Sequence, residues 1–191
     1  MRSLPESSPM TPHLQIRRAG QDDIPALCAL GARTFRETYL ANSDPDQVEA
    51  YAATAFTPDQ VGLWLAHPQA TTLLVIDDGT PVGYAMVLRD AVPDCVGDPG
   101  AAMLSRLYLA REAQGLGLGR LLMSAALAAV AALGARTVWL GVYERNPRAI
   151  AFYESWGFRR VGAYAFEMAG VTYQDPVMAC ALDRAGWNPP A

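Results

Sequence analysis

The feature that most constrains this chain is a glycine-rich turn between a predicted strand and a predicted helix. The turn reads QGLGLGR at residues 114–120, after the β-rich run Ala102–Leu109 and before the alanine- and leucine-rich run Gly119–Leu133. The first N–H groups of a helix have no partner within it, and glycines let a ligand approach the backbone closely. The turn therefore predicts an anion site at a helix N-terminus.

Two familiar phosphate-binding motifs do not fit this turn. The dinucleotide fingerprint Gly-x-Gly-x-x-Gly requires a glycine where Arg120 stands, and the nucleotide P-loop requires Gly-Lys followed by Ser or Thr. Taken alone, the turn is as compatible with a purely structural role as with phosphate binding.

The other patterns along the chain predict a single α/β domain with a mixed sheet of six or seven strands. Three helical segments lie between the first two strands, and Asp78-Gly79 predicts a hairpin. We expect a domain over residues 13–184, with loose tails at 1–12 and 185–191. The predicted strands are His13–Arg18, Thr71–Ile76, Val82–Leu88, Ala102–Leu109, Thr137–Val142, Arg159–Phe166 and Asp175–Leu182. The predicted helices begin at Asp22-Asp23, Ser43 with Pro45, Thr57 with Pro58, Gly119 and Pro147.

Composition argues against several classes of protein. The longest apolar run, Leu121–Ala135, is shorter than the roughly 20 residues of a membrane span, and the N-terminus lacks the apolar core of a secretory signal. We therefore expect a cytoplasmic protein with no membrane partner. The net charge is −4 and the chain contains no lysine, which argues against nucleic-acid binding.

Cysteine and histidine usage predicts neither a disulfide framework nor a metal site. The three cysteines, Cys28, Cys95 and Cys180, are odd in number and far apart, and His13 and His67 are the only histidines. We expect no metal cofactor.

A second motif follows the glycine turn by about thirty residues and reads NPRAIAFY. Asn146 stands where a helix N-cap belongs, and Pro147 stands at the first helical position. Ala149 and Tyr153, four residues apart, share one face of that helix. A tyrosine in this place can offer a phenolic proton to a leaving group.

Together the two motifs resemble those of the GCN5-related N-acetyltransferases, and the resemblance spans about Leu14–Leu182. The family's acetyl-CoA motif, Gln/Arg-x-x-Gly-x-Gly/Ala, is matched by Gln114, Gly117 and Gly119. Its later pattern, Asn-x-x-Ala-x-x-Phe/Leu-Tyr, is matched by Asn146, Ala149, Phe152 and Tyr153. The segments TFRETY, GVYERNPRAIAFYESWGF, FEMAG and QDPVMA, with the AF before Thr57, look like the bacterial polyamine (spermidine/spermine) branch.

The resemblance implies acetyl-CoA as cosubstrate and a sheet whose central strands splay apart to admit the thioester. The backbone of Leu107 and Leu109 would pair with the pantetheine arm, and the turn would hold the pyrophosphate. The implied cofactor contacts are Leu107, Tyr108, Leu109, Gln114, Gly115, Leu116, Gly117, Leu118, Gly119, Arg120, Asn146 and Tyr153.

The implied reaction is direct acetyl transfer to a primary amine within a ternary complex. The Leu109 backbone N–H would stabilise the developing oxyanion, and Tyr153 would protonate the departing thiolate. Asn146 would position the cofactor or a water molecule.

The general base and the acceptor are left open by the sequence. Relatives often carry glutamates on the strand that here reads AAMLSRLYL, where Met103 and Ser105 stand instead. The candidates for deprotonating or holding the amine are then Glu37, Tyr108, Asp175 or a chain of water molecules. The acceptor could be a polyamine, a protein N-terminus, an amino acid or an aminoglycoside.

Two other classes of function also remain open. A noncatalytic acyl-CoA-binding module would keep the glycine turn without needing Tyr153, and an interaction protein would need neither. A homodimer is common among members of the family.

Overall fold

The computed structural model describes residues 14–182. The predicted tails at 1–12 and 185–191, His13, and the last residues of the predicted domain lie outside this range. Within it the chain forms seven strands and five α-helices. In chain order these are β1 (Gln15–Arg18), α1 (Ile24–Tyr39), α2 (Pro45–Ala55), α3 (Pro58–Ala66), β2 (Ala70–Asp77), β3 (Thr80–Leu88), β4 (Ala102–Leu109), α4 (Leu118–Ala132), β5 (Thr137–Gly141), α5 (Pro147–Ser155), β6 (Arg159–Met168) and β7 (Val171–Ala181).

The strands form one mixed sheet in the order β1-β2-β3-β4-β5-β7-β6. β4 and β5 are parallel, and the other neighbours are antiparallel. The predicted α/β fold with a mixed sheet is therefore confirmed, as are the three helices between the first two strands.

The pairing of β4 with β5 is short, and this positions the site. It consists of Ala102 opposite Val138 and Met103 opposite Trp139, after which the two strands diverge. On its other edge β4 stays paired with β3 as far as Leu109, with a bulge that leaves Ser105 unpaired. A bulge bends its strand and re-aims the side chains that follow.

Helices cover both faces of the sheet. Leu122, Met123 and Leu127 of α4 pack with α5 into the larger core on one face, while Leu27 and Phe35 of α1 anchor the clusters on the other. Leu122 and Leu27 have no exposed surface, and burial of such a side chain contributes about 1.5–3 kcal/mol. The two cores hold β4 rigidly while its edge towards β5 stays open.

Two helix starts differ from the sequence prediction. Asp44 caps α2, because its carboxylate accepts from the Asp46 N–H at 2.9 Å, whereas Ser43 lies one residue too early and bonds the Tyr143 hydroxyl at 2.9 Å. Asp23 does not cap α1 with its side chain. It forms a two-armed ion pair with Arg17 at 2.7 Å instead, and a short 3₁₀ turn leads into the helix.

The last strand also differs, since β7 begins at Val171 rather than at Asp175. The turn Ala169-Gly170 closes a long β6–β7 hairpin, with Met168 opposite Val171. Of the four added residues, Val171, Thr172 and Gln174 are exposed and Tyr173 is half-buried, so this part of the strand has no clear alternation of apolar and polar residues.

Of the helices in residues 14–182, none has the length and apolarity needed to span a bilayer. The same residues contain no cluster of three or more histidine, cysteine or acidic side chains suited to a metal ion, and their three cysteines are free thiols.

Candidate active site

The diverging strands leave backbone groups of β4 without a strand partner. Along a strand, successive N–H groups point alternately to its two edges. The Ala110 N–H donates to the Val82 carbonyl beside β3 at 2.8 Å. The N–H groups of Leu109 and Leu107 therefore face the opening towards β5, where an extended ligand could pair with them.

A cleft of about 470 Å³ occupies this opening. It extends from the glycine turn to α1 and brings together residues of α1, β4, α5 and the segment that follows β5. Its lining includes Thr38, Tyr39, Arg106, Leu107, Tyr108, Leu109, Gln114, Gly115, Gly117, Gly119, Arg120, Tyr143, Asn146, Arg148 and Tyr153.

All of the predicted cofactor contacts line this cleft except Leu116 and Leu118. The Leu116 side chain is exposed, and the Leu118 side chain is buried in the core beneath α4. These two residues fall outside the cleft because the turn directs its leucine side chains away from the cleft. Their contribution is confined to backbone groups.

The glycine turn has the backbone of an anion cradle. Gly115 and Gly117 adopt φ values of +82° and +81°, a region that favours glycine, and a Cβ on either would point into open space. Gly117 is the N-cap of α4 and accepts from the Arg120 N–H at 3.0 Å. The preceding N–H groups, those of Leu118 and Gly119, belong to the unpaired first turn and carry the positive end of the helix dipole.

Gln114 links the glycine turn to β4 and to α5. Its Nε2 donates to the Leu109 carbonyl at 3.0 Å, and its Oε1 accepts from Arg148 of α5 at 2.7 Å. The side-chain amide therefore fixes the turn against β4 and α5, and this is a positioning arrangement that the motif alone did not predict.

The start of α5 is formed as predicted. Asn146 caps the helix, with its Oδ1 accepting from the Ala149 N–H at 3.0 Å, so that its amide NH₂ group is left to face the cleft. Tyr153 lies about two turns beyond Asn146 and packs its ring against Phe152 and Phe158.

Tyr153 itself lines the cleft. Burial raises the pKa of Tyr153 well above its usual value, and the neighbouring Tyr108 adds to this effect. The phenol therefore keeps its proton at physiological pH.

The three candidates for holding or deprotonating the amine stand in different surroundings. Glu37 accepts from the Arg111 N–H at 3.0 Å and pairs with Arg33 at 2.9 Å, and it does not line the cleft. Tyr108 lines the cleft, stacked on Tyr84, and burial raises its pKa. Neither is suited to accept a proton.

Asp175 is the candidate whose environment suits proton uptake. It lies on β7 opposite Tyr164, is 3% exposed, and its Oδ1 has no hydrogen-bond partner. Burial raises the pKa of its carboxyl to about 6, against the lowering effect of a hydrogen bond from the Glu144 backbone N–H. Its charge in turn helps to raise the pKa values of Tyr39 and Tyr108, which line the cleft.

Sequence reasoning missed Arg106, which lines the cleft beyond the bulge in β4. Its guanidinium carbon lies 4.2 Å from the Trp64 ring centre and 5.4 Å from that of Phe56. Burial lowers its pKa, but the hydroxyls of Tyr84 and Tyr51 outweigh this and the net pKa is raised. The available signal was a single charged residue in the strand AAMLSRLYL.

The end of the cleft away from the glycine turn was also not predicted residue by residue. Tyr143, after β5, donates to the Asn42 carbonyl at 2.8 Å, and the ring of Tyr39 on α1 packs against it at a tilt of 40° with ring centres 4.9 Å apart. Thr38 donates to the Thr34 carbonyl at 2.8 Å within α1. These contacts give the acceptor end rigid walls of hydroxyl and ring groups.

Comparison with known proteins agrees with this geometry. The family model described as "Acetyltransferase (GNAT) family" matches residues 32–158. An uncharacterised N-acetyltransferase of Mycobacterium tuberculosis is 33% identical over 156 residues, covering 82% of this chain and 96% of that protein. The crystal structure of PaiA N-acetyltransferase from Thermoplasma acidophilum, in complex with coenzyme A, superposes with a TM-score of 0.72 at 18% identity, covering 88% of this chain and 99% of the other. A Salmonella typhimurium acetyltransferase with its cofactor acetyl-CoA superposes with a TM-score of 0.61 at 20% identity, covering 90% and 95%.

Proposed function

This chain belongs to the GNAT family of acetyltransferases, and from that premise we propose that it transfers the acetyl group of acetyl-CoA directly to the primary amine of a small molecule. The observation that carries the proposal is the continuity of one cleft from the glycine turn, past the open edge of β4, to Tyr153 and the tyrosine-lined end. Coenzyme A and acetyl-CoA are bound by proteins of the same fold, which supports the cosubstrate.

The residues present fit the cosubstrate at both of its chemically distinct parts. The α4 N-terminus with Gly115 and Gly117 suits a pyrophosphate, because it offers unpaired N–H groups without obstructing side chains. The free edge of β4 at Leu107 and Leu109 suits an extended chain with amide groups. When bound, acetyl-CoA supplies an activated thioester.

The Leu109 N–H is the group we propose to face the acetyl carbonyl oxygen. It points into the opening, and the bond from Gln114 to the Leu109 carbonyl holds this part of β4 in place. A fixed donor aimed at the oxygen on which negative charge develops lowers the barrier without reorganisation. Asn146 would contribute its amide NH₂ group by holding the cosubstrate or a water molecule.

Tyr153 is the proposed acid for the thiol leaving group. The raised pKa keeps its hydroxyl protonated, and its position in the cleft supports donation to the sulfur. A thiol has a pKa of about 8.5 in water, but burial raises the pKa of a thiol as it does that of a phenol. Inside the cleft, burial raises both pKa values, that of the thiol and that of Tyr153. The difference between them is therefore smaller than the raised pKa of Tyr153 alone suggests.

Asp175 is the proposed final acceptor of the proton from the amine. A carboxyl with a pKa of about 6 is ionised at neutral pH and binds a proton more readily than an ordinary aspartate does. Because Asp175 lies behind the cleft lining, the proton would reach it through the tyrosine hydroxyls or a water molecule. Glu37 is less suited to this role because it is paired with Arg33 and the Arg111 N–H outside the cleft, and Tyr108 because burial raises the pKa of its phenol.

The polyamine acceptor suggested by sequence likeness stays a prediction. A noncatalytic acyl-CoA-binding module remains the alternative of another class, and a tyrosine in the cleft whose raised pKa keeps it protonated favours catalysis over it.

The proposed reaction is tested by thiol release from acetyl-CoA with a panel of amines, beside calorimetric titration of the protein with acetyl-CoA. We expect micromolar-range cofactor binding and amine-dependent thiol release. Binding without release from any amine would favour the noncatalytic module, and absence of binding would show that the glycine turn is structural only.

A further inference from the structure

We propose that the acceptor carries an anionic group, a carboxylate or a phosphonate, which Arg106 binds while the amine of the same molecule receives the acetyl group. The inference rests on the proposed acetyl transfer and names the class of its acceptor. The observation behind it is a half-buried cation, Arg106, in the cleft wall that no acidic residue of the described chain neutralises.

The charges that line the cleft are all of one sign. Among the described lining residues, Arg106, Arg120 and Arg148 are cationic, and none is an aspartate or a glutamate. Arg120 and Arg148 flank the glycine turn and α5, where phosphate groups of the cosubstrate would lie. Arg106 stands apart from them on β4, beside the tyrosine-lined end.

The half-buried Arg106 guanidinium has no acidic partner in the part of the chain that the structure describes. Its Nε is buried without a hydrogen-bond partner, and no ion pair within residues 14–182 includes it. The polar groups near it are tyrosine hydroxyls: that of Tyr51, which hydrogen-bonds the guanidinium, and that of Tyr84, which is itself buried and unpartnered. Neutral hydroxyls do not cancel a formal charge, and an unpaired buried charge is costly.

The aromatic neighbours of Arg106 orient it for recognition. The guanidinium lies over the Trp64 ring at 4.2 Å, with Phe56 at 5.4 Å. An arginine that uses its face for such stacking still has the N–H groups along its edge, and that planar fork matches a carboxylate or phosphonate with two hydrogen bonds. The Trp64 and Phe56 rings therefore hold the cation by its face and leave the N–H groups that Tyr51 does not use available to a ligand.

The spacing along β4 limits the size of the acceptor. Arg106 and the proposed acetyl-facing Leu109 are three residues apart, which is about 10 Å along a strand. An anion on Arg106 and an amine near Leu109 can thus belong to one small molecule, and the spacing favours an amino acid with several carbons between its amine and its anion. A polyamine would instead place a second cation near Arg106, where the potential is already positive.

The test compares matched acceptors that differ in the anion. Thiol release is measured with glycine, β-alanine and γ-aminobutyrate, each beside its amide, and with aminoethylphosphonate, putrescine and spermidine. We expect kcat/KM roughly 10- to 100-fold higher for an anionic amine than for its amide, the range typical of a hydrogen bond to a charged group. Equal use of the amide, or preference for putrescine or spermidine, would overturn the inference while leaving acetyl transfer intact.

Variants separate recognition by Arg106 from a merely structural role. Arg106→Gln should raise KM for the anionic amine and abolish the preference over its amide, with the calorimetric affinity for acetyl-CoA unchanged. Arg106→Lys should retain part of the preference, and Arg159→Gln, at an exposed site on β6, serves as the matched control. A uniform loss with all amines would assign Arg106 to structure alone and overturn the inference.

A second readout does not depend on turnover. Anionic amines are titrated into the wild-type protein saturated with coenzyme A, and the heat of binding is compared with that of their amides. Binding of the anionic amine only would support the inference, and equal or absent binding of both would contradict it. Loss of acetyl-CoA binding itself would instead refute the proposed function.

Discussion

Replacement of Asp175 by asparagine should stabilise the protein at neutral pH while it impairs proton transfer. The carboxyl is 3% exposed, and its Oδ1 has no hydrogen-bond partner. Asparagine has nearly the same shape and carries no charge, and its amide oxygen can still accept from the Glu144 N–H. The substitution therefore removes a buried charge without opening a cavity.

The size of the gain follows from the pKa of Asp175. It is raised from its usual 3.8 to about 6, which corresponds to about 3 kcal/mol at roughly 1.4 kcal/mol per pH unit. The folded state binds this proton more tightly than the unfolded state, so the carboxyl has no effect on stability below about pH 4, becomes increasingly destabilising between pH 4 and 6, and has its full effect above pH 6. Partial screening by solvent lowers the figure, and we expect about 1–3 kcal/mol above pH 7.

The assay is urea unfolding of the wild type and Asp175→Asn at pH 5 and at pH 8. The difference in the free energy of unfolding between the two proteins should be larger at pH 8, in favour of the variant. Asp22→Asn, at an exposed aspartate, should show no such dependence. A difference that is the same at both pH values, or that favours the wild type at pH 8, would refute the reasoning.

Activity measured on the same variant tests the proposed chemistry separately. Asp175→Asn should lower kcat and remove the acidic limb of the wild-type pH profile near pH 6. A stabilised variant with an unchanged profile would mean that the carboxyl is buried at a cost but takes no part in proton transfer.

Three further substitutions test other parts of the molecule. Gly117→Asp should weaken acetyl-CoA binding in calorimetry, because it places a charged side chain at the α4 N-terminus. Gly79→Asp, also at positive φ but in the β2–β3 hairpin, should leave that affinity unchanged. Equal affinities of the wild type and both variants would contradict the phosphate cradle. Tyr153→Phe should lower kcat by about 100-fold, in the range of general acid catalysis, with cofactor affinity unaltered, and wild-type turnover would exclude it as the acid. Asp44→Ala should destabilise the fold by about 1 kcal/mol in thermal unfolding, and no loss would mean that the α2 cap contributes nothing.

The parts of the fold that the sequence predicted are those with strong local signals. The glycines of the turn, the Asp78-Gly79 hairpin and the Asn146-Pro147 helix start each fix a backbone conformation within a few residues. Such conformations depend on neighbours in the chain, so a single sequence is enough to predict them.

The failures lie where a distant partner decides the outcome. Asp23 would be a reasonable helix cap, but Arg17 from β1 competes for its carboxylate with two hydrogen bonds. The beginning of β7 at Val171 depends on pairing with β6 across an exposed hairpin. Neither contact leaves a periodic pattern in the sequence.

The same distinction between local signals and distant partners applies to the candidate site. Its cofactor end consists of the contiguous turn 114–120 and the start of α5, so motifs identify it residue by residue. Its acceptor end draws on α1, β4 and β7, which are far apart in the chain. The sequence therefore does not identify Arg106 as a site residue, and it gives Asp175 only as one of several candidates. In the fold, Arg106 packs against an aromatic ring and Asp175 is removed from solvent.

The separation of these two charges is itself informative. Within the described chain Arg106 and Asp175 form no ion pair with each other, although both act on the pKa of Tyr164. Had stability alone shaped this region, pairing the two charges or replacing both by apolar side chains would have removed a cost in folding free energy. A site that keeps opposite charges apart is complementary to a molecule that carries both an anion and an amine. The unpaired arrangement therefore agrees better with a zwitterionic acceptor than with a polycation.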